Sequence, residues 1–356
     1  MRTMKAARLY GPNDLRLMEV PVPDLGPHDV LCTVARCGVC GTDHAIFTGE
    51  FSFVREGRVK FPKTLGHEWA GTVAAVGSEV RQHTIGDRVV GDTSVACGQC
   101  VECLLGSVNR CRASRSVGTV SDFDGAYAEC IVMPERHLYR LPDAVGFDAG
   151  AMVEPAATAL YAVHKAQTAL ANGESALGRA VLVQGSGPIG IMAAKFAKLS
   201  GAANVVIAGR KAAKLRAALG FGADAAIDTT GESVRDGLRR ILGRPVVDAV
   251  IEASGSTELL SGAASVLRPG GVIAAVAFYE KAPERFSVDE LVFNDLSLVG
   301  VAGSLMMYPA VLRLMAGGIF DPTPLITARY PFADVHRALA DMSARNDSRI
   351  KLMLEM

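Results

Sequence analysis

Four cysteines within fifteen residues could bind a single metal ion. The stretch reads CGQCVECLLGSVNRC, and successive cysteines are separated by two, two and seven residues. Four thiolates this close in sequence can surround one ion tetrahedrally, and a complete set leaves no open coordination position. Iron–sulfur clusters also take four cysteines, but their common signatures have other spacings. The pattern predicts a structural zinc site, rather than unrelated buried thiols, in a lobe of about residues 94–114 formed by Cys97, Cys100, Cys103 and Cys111.

A second cysteine pair opens the stretch CGVCGTDHAIF, which begins at Cys37. An aspartate and a histidine follow Cys40 within four residues. Taken alone, the stretch fits a four-ligand metal knuckle, half of a catalytic site, or a buried corner with a stray histidine. Further donors lie elsewhere, because His67 and Glu68 stand together in LGHEWAGTV and Glu154 follows in MVEP. An isolated His–Glu pair is most often an ordinary surface or core feature, and Glu154 alone fits an acidic helix start.

A glycine-rich loop in VLVQGSGPIG follows a predicted strand and opens a predicted helix. The alternation of strands and helices continues on both sides, which makes G-x-G-x-x-G far more specific than it is alone. The glycines allow a tight turn and the close approach of a pyrophosphate, which the helix N-terminus favours. The alternative is a plain glycine-rich turn. The loop predicts a dinucleotide site formed by Gly185, Ser186, Gly187, Pro188, Ile189 and Gly190.

The end of the next predicted strand bears on the choice of cofactor. An NAD site usually has an acidic residue there for the ribose hydroxyls, whereas NVVIAGRKAAK ends its strand in Gly209, Arg210 and Lys211. Gly209 leaves room for a 2′-phosphate, and the two cations, with Lys214 behind them, attract it. The sequence therefore predicts NADP, with NAD as the second choice. The alternative is that these cations only form the solvated start of a helix.

The elements that must position these residues change in character along the chain. The first 150 residues contain short Val-rich runs between Gly, Pro and Asp, which predict strands and turns. From Arg179 to about Leu298, predicted strands and helices alternate, and the strands are continuously apolar. This pattern predicts an α/β fold. A nucleotide-binding domain with a doubly wound parallel sheet, residues 155–298, would be inserted in a β-rich domain made of residues 1–154 and 299–356.

Composition narrows the class of protein. The chain has 356 residues, of which 49% are hydrophobic and 21% charged, as in globular proteins of more than one domain. Its formal net charge of zero argues against nucleic acid as a partner. No apolar run approaches the roughly 18 residues of a membrane helix, and the N-terminus lacks the apolar segment of a signal peptide. We therefore expect a cytoplasmic protein, in which clustered cysteines bind metal more often than they form disulfides.

Together these features resemble one family closely. It is the zinc-dependent medium-chain dehydrogenases/reductases of the alcohol dehydrogenase superfamily, in their polyol (sorbitol, threonine, butanediol) branch. The matching motifs run in the family's order along essentially the whole chain. They are Cys40-Gly41-Thr42-Asp43, Gly66-His67-Glu68 with Gly71, the four-cysteine lobe, Gly125-Ala126-Tyr127-Ala128-Glu129, Glu154-Pro155 and the glycine loop. The resemblance implies a GroES-like catalytic domain, a Rossmann domain and an oxidoreductase.

The resemblance also implies a catalytic zinc in addition to the structural one. Its ligands would be Cys40, His67 and Glu154, with Glu68 beside them as an exchangeable ligand or in place of a water. Such a set leaves a position open for a substrate oxygen. Cys37 would then be a small buried residue and not a ligand. The stretch that begins at Cys37 would be half of a catalytic site.

Three neighbours of Cys40 take roles by the same resemblance. Thr42 would hydrogen-bond the alcohol oxygen and relay its proton, and Asp43 would orient His67 through its second ring nitrogen unless it only caps a turn. Many family members have a relay histidine five residues after the zinc cysteine, where this chain has Ala45. His44 comes one residue early, which turns its side chain elsewhere. It could relay protons by another route, contact the cofactor, or have no role.

A second departure from the family is the stretch GEFSFVREGRVKF, residues 49–61, which is longer than the usual connection. Its aromatic residues, Phe51, Phe53 and Phe61, could form one wall of the substrate cleft. A surface loop with partly buried aromatic residues explains them equally well.

The leading interpretation is an enzyme that transfers hydride between a secondary alcohol or polyol, or its ketone, and NADP. An NAD-dependent L-threonine or glucose-type sugar dehydrogenase on the same scaffold is the alternative. Zero net charge disfavours a zinc-binding interaction module, and Cys40, His67 and Glu154 together disfavour a zinc-free quinone reductase. We also expect a homo-oligomer, a dimer or tetramer, in which the strand LSLVGV could pair across a dimer.

Overall fold

The computed structural model describes residues 2–170, 177–281, 285–304, 306–344 and 346–356. Contacts divide the chain into two compact units. The first unit is Met1–Glu154 with Leu305–Arg345 and Lys351–Met356, and the second is Pro155–Ser304 with Asn346–Ile350. Within these described ranges, none of the helices combines the length and the apolar character needed to cross a bilayer.

Strands dominate the first unit, and strands alternate with helices in the second. The strands are β1 (Thr3–Leu9), β2 (Leu15–Pro21), β3 (Asp29–Val39), β4 (Lys63–Thr64), β5 (Glu68–Val76), β6 (Arg88–Gly91), β7 (Ser94–Val95), β8 (Arg115–Ser116), β9 (Cys130–Pro134), β10 (Leu138–Arg140), β11 (Ala180–Gln184), β12 (Asn204–Gly209), β13 (Ala225–Asp228), β14 (Val247–Glu252), β15 (Leu267–Ala275), β16 (Ser297–Gly300), β17 (Ile326–Pro331) and β18 (Lys351–Glu355). The α-helices are α1 (Gly41–Thr48), α2 (Ser52–Arg55), α3 (Val101–Leu104), α4 (Phe147–Ala151), α5 (Val153–Ala169), α6 (Pro188–Leu199), α7 (Ala212–Phe221), α8 (Val234–Leu242), α9 (Thr257–Ala263), α10 (Val288–Phe293), α11 (Tyr308–Ala316) and α12 (Val335–Ser343). Short 3-10 segments are Val108–Arg110, Glu135–His137, Ala264–Val266, Thr323–Leu325 and Phe332–Asp334.

The main sheet of the first unit has the order β10-β6-β5-β3-β18-β17, with β9 also paired to β3. Two smaller sheets have the orders β2-β1-β4 and β7-β8. The register of β3 decides what meets at its carboxyl end, because Gly38 opposes Glu68 of β5 and Val39 opposes Leu352 of β18. Cys40 follows β3 directly. The pairing therefore brings Cys40, the start of β5 and the start of β18 to one end of the sheet.

The second unit contains one six-stranded sheet with the order β13-β12-β11-β14-β15-β16. Every pairing in it is parallel. Strands β11 and β14 are buried along their whole length, as expected for apolar strands covered on both faces. The chain goes from β11 to β12 and β13 on one side, and then to β14 on the other. This order creates a topological switch point beside β11, where sheets of this kind bind ligands.

The end of the second sheet lies beyond the predicted domain boundary at residues 298 and 299. Strand β16 (Ser297–Gly300) pairs with β15 in register from Ser297 to Gly300. Because hydrogen bonds of one strand hold these residues together, Val299 and Gly300 belong with the second unit, which extends to Ser304.

Candidate active site and metal centres

The four lobe cysteines come together as a compact group of sulfur atoms. Their ligand atoms all lie within 4.8 Å of one another, with Sγ–Sγ distances of 3.9 Å from Cys97 to Cys103 and 3.5 Å from Cys100 to Cys103. Four Zn–S bonds of about 2.3 Å in a tetrahedron place sulfurs about 3.8 Å apart. Backbone N–H groups of Gln99 and Cys100 lower the pKa of Cys97 to about 6, which favours a thiolate. The donor set and its spacing fit a closed zinc site.

A second group of donors consists of Cys40, His67 and Glu68, whose ligand atoms also lie within 4.8 Å of one another. Cys40 precedes α1 as its N-cap residue, and Glu68 opens β5 with His67 just before it. His67 is 6% exposed and Glu68 1%. A thiolate, an imidazole and a carboxylate are ordinary zinc ligands, and three of them leave a position open for a further oxygen. The group therefore fits a catalytic metal.

The carboxylate of Asp43 joins the segments that carry these donors. It is fully buried and accepts hydrogen bonds from the backbone N–H of Cys40 at 2.9 Å, the backbone N–H of Gly66 at 3.2 Å, and the hydroxyl of Tyr127 at 3.0 Å. One carboxylate oxygen also lies 3.3 Å from Nδ1 of His67. Burial alone would raise the pKa of Asp43, but the charge of His67 and these donors hold it below its usual value. Asp43 therefore faces His67 as an ionised carboxylate.

The environment of His67 favours a positive charge at its ring. Burial opposes the imidazolium, but the charge of Asp43 and contacts with Asp43 and Cys40 raise the pKa of His67 well above its usual range. Nδ1 of His67 is buried and makes no well-aligned hydrogen bond, although Asp43 is near. A cation placed between Cys40 and His67 would serve the same electrostatic need as that proton.

Sequence reasoning missed a buried lysine beside Glu68. Nζ of Lys351 lies 2.7 Å from both carboxylate oxygens of Glu68 and 3.3 Å from the carbonyl of Val39. Burial would lower the pKa of Lys351, but the charges of Glu68 and Cys40 raise it above its usual value. A signal was present in the sequence, since a lysine that opens the apolar strand KLMLE needs a buried partner.

Glu154 lies outside the group formed by Cys40, His67 and Glu68, although the sequence suggested it as a third ligand. It is the second residue of α5 and is 9% exposed. Burial first, and then the negative charges of Glu68 and Asp92, raise the pKa of Glu154 to about 7, while His67 opposes this shift. The charges of this site thus shift the pKa of Glu154. The carboxylate whose oxygen lies within 4.8 Å of the Cys40 and His67 donor atoms is that of Glu68.

Thr42 and His44 both lie on α1, in its first and second turns. Thr42 is half-buried. Nε2 of His44 lies 2.6 Å from Oγ of Ser343 at the end of α12. Ala45, which occupies the position of the usual relay histidine, packs against the core of the first unit. His44 therefore joins α1 to α12, and a part for it in proton transfer stays a prediction.

The stretch of residues 49–61 folds against the core of the first unit. Phe51 is 2% exposed, and its ring centroid lies 4.9 Å from that of Phe53. Phe53 and Phe61 are partly buried against the same core. The guanidinium of Arg58 lies over the ring of Phe53, 3.7 Å from its centroid. Packing accounts for these aromatic residues, and a wall of the substrate cleft is not required to explain them.

The glycine loop lies at the carboxyl end of β11, where the switch point of the second sheet is. Gly187 is the N-cap residue of α6 and Pro188 its first residue. A Cβ atom at Gly190 would lie 1.9 Å from the carbonyl oxygen of Gly185, so the turn tolerates no side chain there. A Cβ at Gly209 would meet Oγ of Ser186 at 2.5 Å. Packing of β12 against the loop thus accounts for Gly209 by itself.

Arg210 and Lys211 lie in the connection between β12 and α7. Both side chains are exposed, and Lys211 is the N-cap residue of α7. In register, Gly209 opposes Asp228 at the end of β13. The carboxylate of Asp228 accepts hydrogen bonds from the N–H and the hydroxyl of Thr230, at 3.0 and 2.7 Å. The connection after β12 itself carries cations and no carboxylate.

Two protein-family models match the chain, one within each unit for most of its length. Residues 26–143 match the alcohol dehydrogenase GroES-like domain, and residues 188–317 match the zinc-binding dehydrogenase family. An L-threonine 3-dehydrogenase from Symbiobacterium thermophilum is 32% identical over 359 residues, which cover 99% of each chain. The chain belongs to the zinc-dependent medium-chain alcohol dehydrogenases. Sorbitol and threonine dehydrogenases among its relatives place it in their polyol and threonine branch.

Two solved structures have the same fold. One is a zinc-binding dehydrogenase from Sinorhizobium meliloti 1021 bound to NADP, with a TM-score of 0.88, 29% identity and full coverage of both chains. The other is a short-chain alcohol dehydrogenase from E. coli CFT073 complexed with NADH, with a TM-score of 0.90, 26% identity and 99% coverage of both chains. The predicted family, the GroES-like and Rossmann fold class and the assignment as an oxidoreductase are confirmed.

We expect Cys103→Ser to remove one zinc ion per chain and to lower the melting temperature, because three thiolates cannot close the lobe site. Metal analysis and thermal unfolding of the purified protein provide the measurement. Cys130→Ser is the matched control, since Cys130 lies in β9 and outside the cysteine group. If Cys103→Ser kept its stability and lost only catalytic rate, the structural assignment of the lobe would be wrong.

We expect Lys351→Met to destabilise the protein by about 3–5 kcal/mol, because it leaves the buried carboxylate of Glu68 without its partner. That loss corresponds to a fall in melting temperature of roughly 6–20 °C for a unit of this size. The double variant Lys351→Met with Glu68→Gln removes both charges and should recover much of the loss. An unchanged melting temperature in the single variant would contradict this account of the pair.

Proposed function

We propose that this dehydrogenase interconverts a secondary alcohol or polyol and its ketone, with a catalytic zinc and with NADP as the favoured cofactor. The observation that carries the proposal is the buried group of Cys40, His67 and Glu68, whose three donors lie within 4.8 Å of one another. A mixed set of thiolate, imidazole and carboxylate is typical of catalytic zinc sites, in contrast to the four thiolates of the lobe.

Two groups bound from outside would complete the chemistry. A zinc ion held by Cys40 and His67, with Glu68 or Glu154 as an exchangeable ligand, supplies Lewis acidity toward an alcohol or carbonyl oxygen. A nicotinamide nucleotide at the glycine loop supplies the hydride acceptor or donor. The same residues would act in both directions.

The chain's own residues hold the donors and move the proton. Asp43 fixes the orientation of His67 and, through the backbone N–H of Cys40, the start of α1. The hydroxyl of Thr42, two residues after Cys40, hydrogen-bonds the substrate oxygen and relays its proton. In oxidation it accepts the substrate proton as it passes its own hydroxyl proton on toward solvent, and in reduction the transfers are reversed. Lys351 neutralises the buried carboxylate of Glu68 when that carboxylate is not bound to the metal.

The cations after β12 support NADP as the favoured cofactor. Arg210 and Lys211 follow Gly209 directly, where an NAD site usually has a carboxylate. A guanidinium can meet a phosphate with two parallel N–H bonds, and an ammonium adds a point charge. The carboxylate of Asp228 lies at the end of the neighbouring strand β13 and accepts hydrogen bonds from Thr230 through Oδ1. The connection after β12 itself carries no acid.

NAD-dependent oxidation of L-threonine is the second candidate function. The specific observation in its favour is 32% identity over 99% of the chain with an L-threonine 3-dehydrogenase. The metal site would serve either substrate, because both reactions oxidise a secondary alcohol.

A screen of substrates against both cofactors tests the proposal. Polyols, sugars, simple secondary alcohols and L-threonine are each supplied with NADP or NAD, and the reduced nicotinamide is followed by absorbance. We expect turnover with a secondary alcohol or polyol, higher kcat/KM with NADP, and loss of activity on removal of the metal. Turnover of L-threonine with NAD alone would favour the second candidate, and full activity without zinc would contradict both.

We propose that the chain forms a homo-oligomer through the edge of its second sheet. Strand β16 ends the order of this sheet in the described part of the chain. On α10, which precedes β16, Val292 is 77% and Phe293 90% exposed. An unpaired edge beside exposed apolar side chains is a surface that a second copy could cover. Light scattering of the wild type and of Phe293→Asp would measure the assembly.

We expect Thr42→Ala to keep its zinc and to lose roughly 10²–10⁴-fold in kcat, the usual range for a positioned proton-transfer group. Thr48→Ala is the control, because Thr48 lies on the same helix and its hydroxyl donates to the carbonyl of His44 at 3.1 Å. The rates must be measured under conditions where hydride transfer shows a deuterium isotope effect. An unchanged rate in Thr42→Ala would remove this residue from the mechanism.

We expect Arg210→Ala to lower kcat/KM for NADP about ten- to a hundredfold, because a charge-assisted pair with the phosphate is lost. NAD lacks the 2′-phosphate and should be affected far less. Arg216→Ala, an exposed arginine of α7, removes an equal charge nearby as the control. Equal losses for both cofactors would mean that Arg210 does not select between them.

A further inference from the structure

A short turn near the end of the chain has a fixed shape. The side-chain oxygen of Asn346 accepts hydrogen bonds from the N–H and hydroxyl of Ser348, at 3.0 and 2.8 Å, and from the N–H of Arg349 at 3.2 Å. We refer to residues 346–349 as the C-terminal turn. Because one side chain holds three donors, the turn presents Asp347 and Arg349 in a defined arrangement.

The C-terminal turn is anchored at the point where β12 ends. Oδ1 of Asp347 lies 2.5 Å from Nζ of Lys211, the N-cap residue of α7. Residues 346–350 belong to the same compact unit as β12 and α7. The turn thus brings a carboxylate to the cations that follow Gly209, although it lies far from them in sequence.

Arg349 adds a further cation to the same place. Burial, and then the charges of Arg349 and Lys211, lower the pKa of Lys214, while Asp347 opposes this shift. The start of α7 with the connection before it and the C-terminal turn together carry four cationic side chains, and the ion pair of Lys211 and Asp347 joins the two segments. The cations are Arg210, Lys211, Lys214 and Arg349.

Several cationic side chains on two segments that one ion pair joins favour an anionic ligand. Like charges repel, and a lone exposed ion pair contributes little to folding stability. Stability alone therefore gives a weak reason for the turn to lie here. A phosphate with close to two negative charges would relieve the repulsion and would compete well with a carboxylate for an ammonium group.

We propose that Asp347 and Arg349 complete the subsite for the adenosine 2′-phosphate of NADP. Without the phosphate, Asp347 binds Lys211. When NADP binds, its 2′-phosphate takes Lys211 from Asp347, and the guanidinium of Arg349 contacts the phosphate alongside Arg210. NAD leaves the pair of Lys211 and Asp347 intact. The inference rests on the proposed use of NADP and adds the C-terminal turn as a second determinant of that preference.

Calorimetric binding of two small probes tests the proposal without catalysis. Adenosine 2′,5′-bisphosphate carries the 2′-phosphate, and 5′-AMP lacks it. We expect Arg349→Ala to weaken binding of the bisphosphate about three- to tenfold, as for a partly exposed charge-assisted contact. We expect Asp347→Asn to strengthen it about threefold, because a competing carboxylate is removed. Both variants should bind 5′-AMP within about twofold of the wild type.

Arg216→Ala is the control for overall charge, since it removes one cation from α7 but lies outside the proposed subsite. A loss for Arg216→Ala equal to that for Arg349→Ala would overturn the inference, because only the general field would matter. Bisphosphate binding unchanged by either Arg349→Ala or Asp347→Asn would also overturn it, with the melting temperature confirming that each variant is folded. A wild type that binds both probes equally would instead contradict the NADP preference itself.

Discussion

The candidate metal site depends on one buried carboxylate, that of Asp43. A fully buried charge is strongly unfavourable unless donors and opposite charge surround it. Here the donors are the N–H of Cys40, the N–H of Gly66 and the hydroxyl of Tyr127, and His67 lies 3.3 Å away. They come from three segments of the first unit, around Cys40, around Gly66 and His67, and at Tyr127. These contacts therefore tie the start of α1, which follows Cys40, to the segment of Gly66 and His67.

A second buried ion pair, of Lys351 and Glu68, lies in the same unit as Asp43 and His67. Lys351 binds both oxygens of Glu68 at 2.7 Å. Positive and negative groups thus alternate across the site, from Lys351 to Glu68 and from His67 to Asp43. The arrangement explains how these four groups share a small volume, since each lies beside a group of opposite charge.

Features that depend on a short stretch of sequence were predictable. The apolar strands around β11 and the glycine loop after it predicted the parallel sheet, because burial on both faces requires such strands. The lobe was predictable because its four cysteines lie within one short segment. Contacts between distant segments were not predictable from pattern. Lys351 beside Glu68, Ser343 beside His44 and Asp347 beside Lys211 each join residues that only the folded chain brings together.

The positions of Glu68 and Glu154 relative to Cys40 and His67 were likewise not predictable from sequence pattern. The resemblance to the family suggested Glu154 as a third ligand with Glu68 as its exchangeable neighbour. Sequence adjacency to His67 does not give a distance between side chains. In the structure Glu68 lies with Cys40 and His67 because Gly38 of β3 opposes it in register. Strand register, which depends on the whole sheet, decides which carboxylate stands with the other two donors.

Two ion pairs in this chain have similar chemistry and opposite consequences. The side chains of Lys351 and Glu68 are 4% and 1% exposed, whereas those of Lys211 and Asp347 are 46% and 67% exposed. Removing one partner from a buried pair costs about 3–5 kcal/mol, while an exposed pair is worth about 0–1 kcal/mol. The buried pair is therefore a fixed part of the fold. The exposed pair can be exchanged for a better anion at little loss, which is the property that the proposed 2′-phosphate subsite requires.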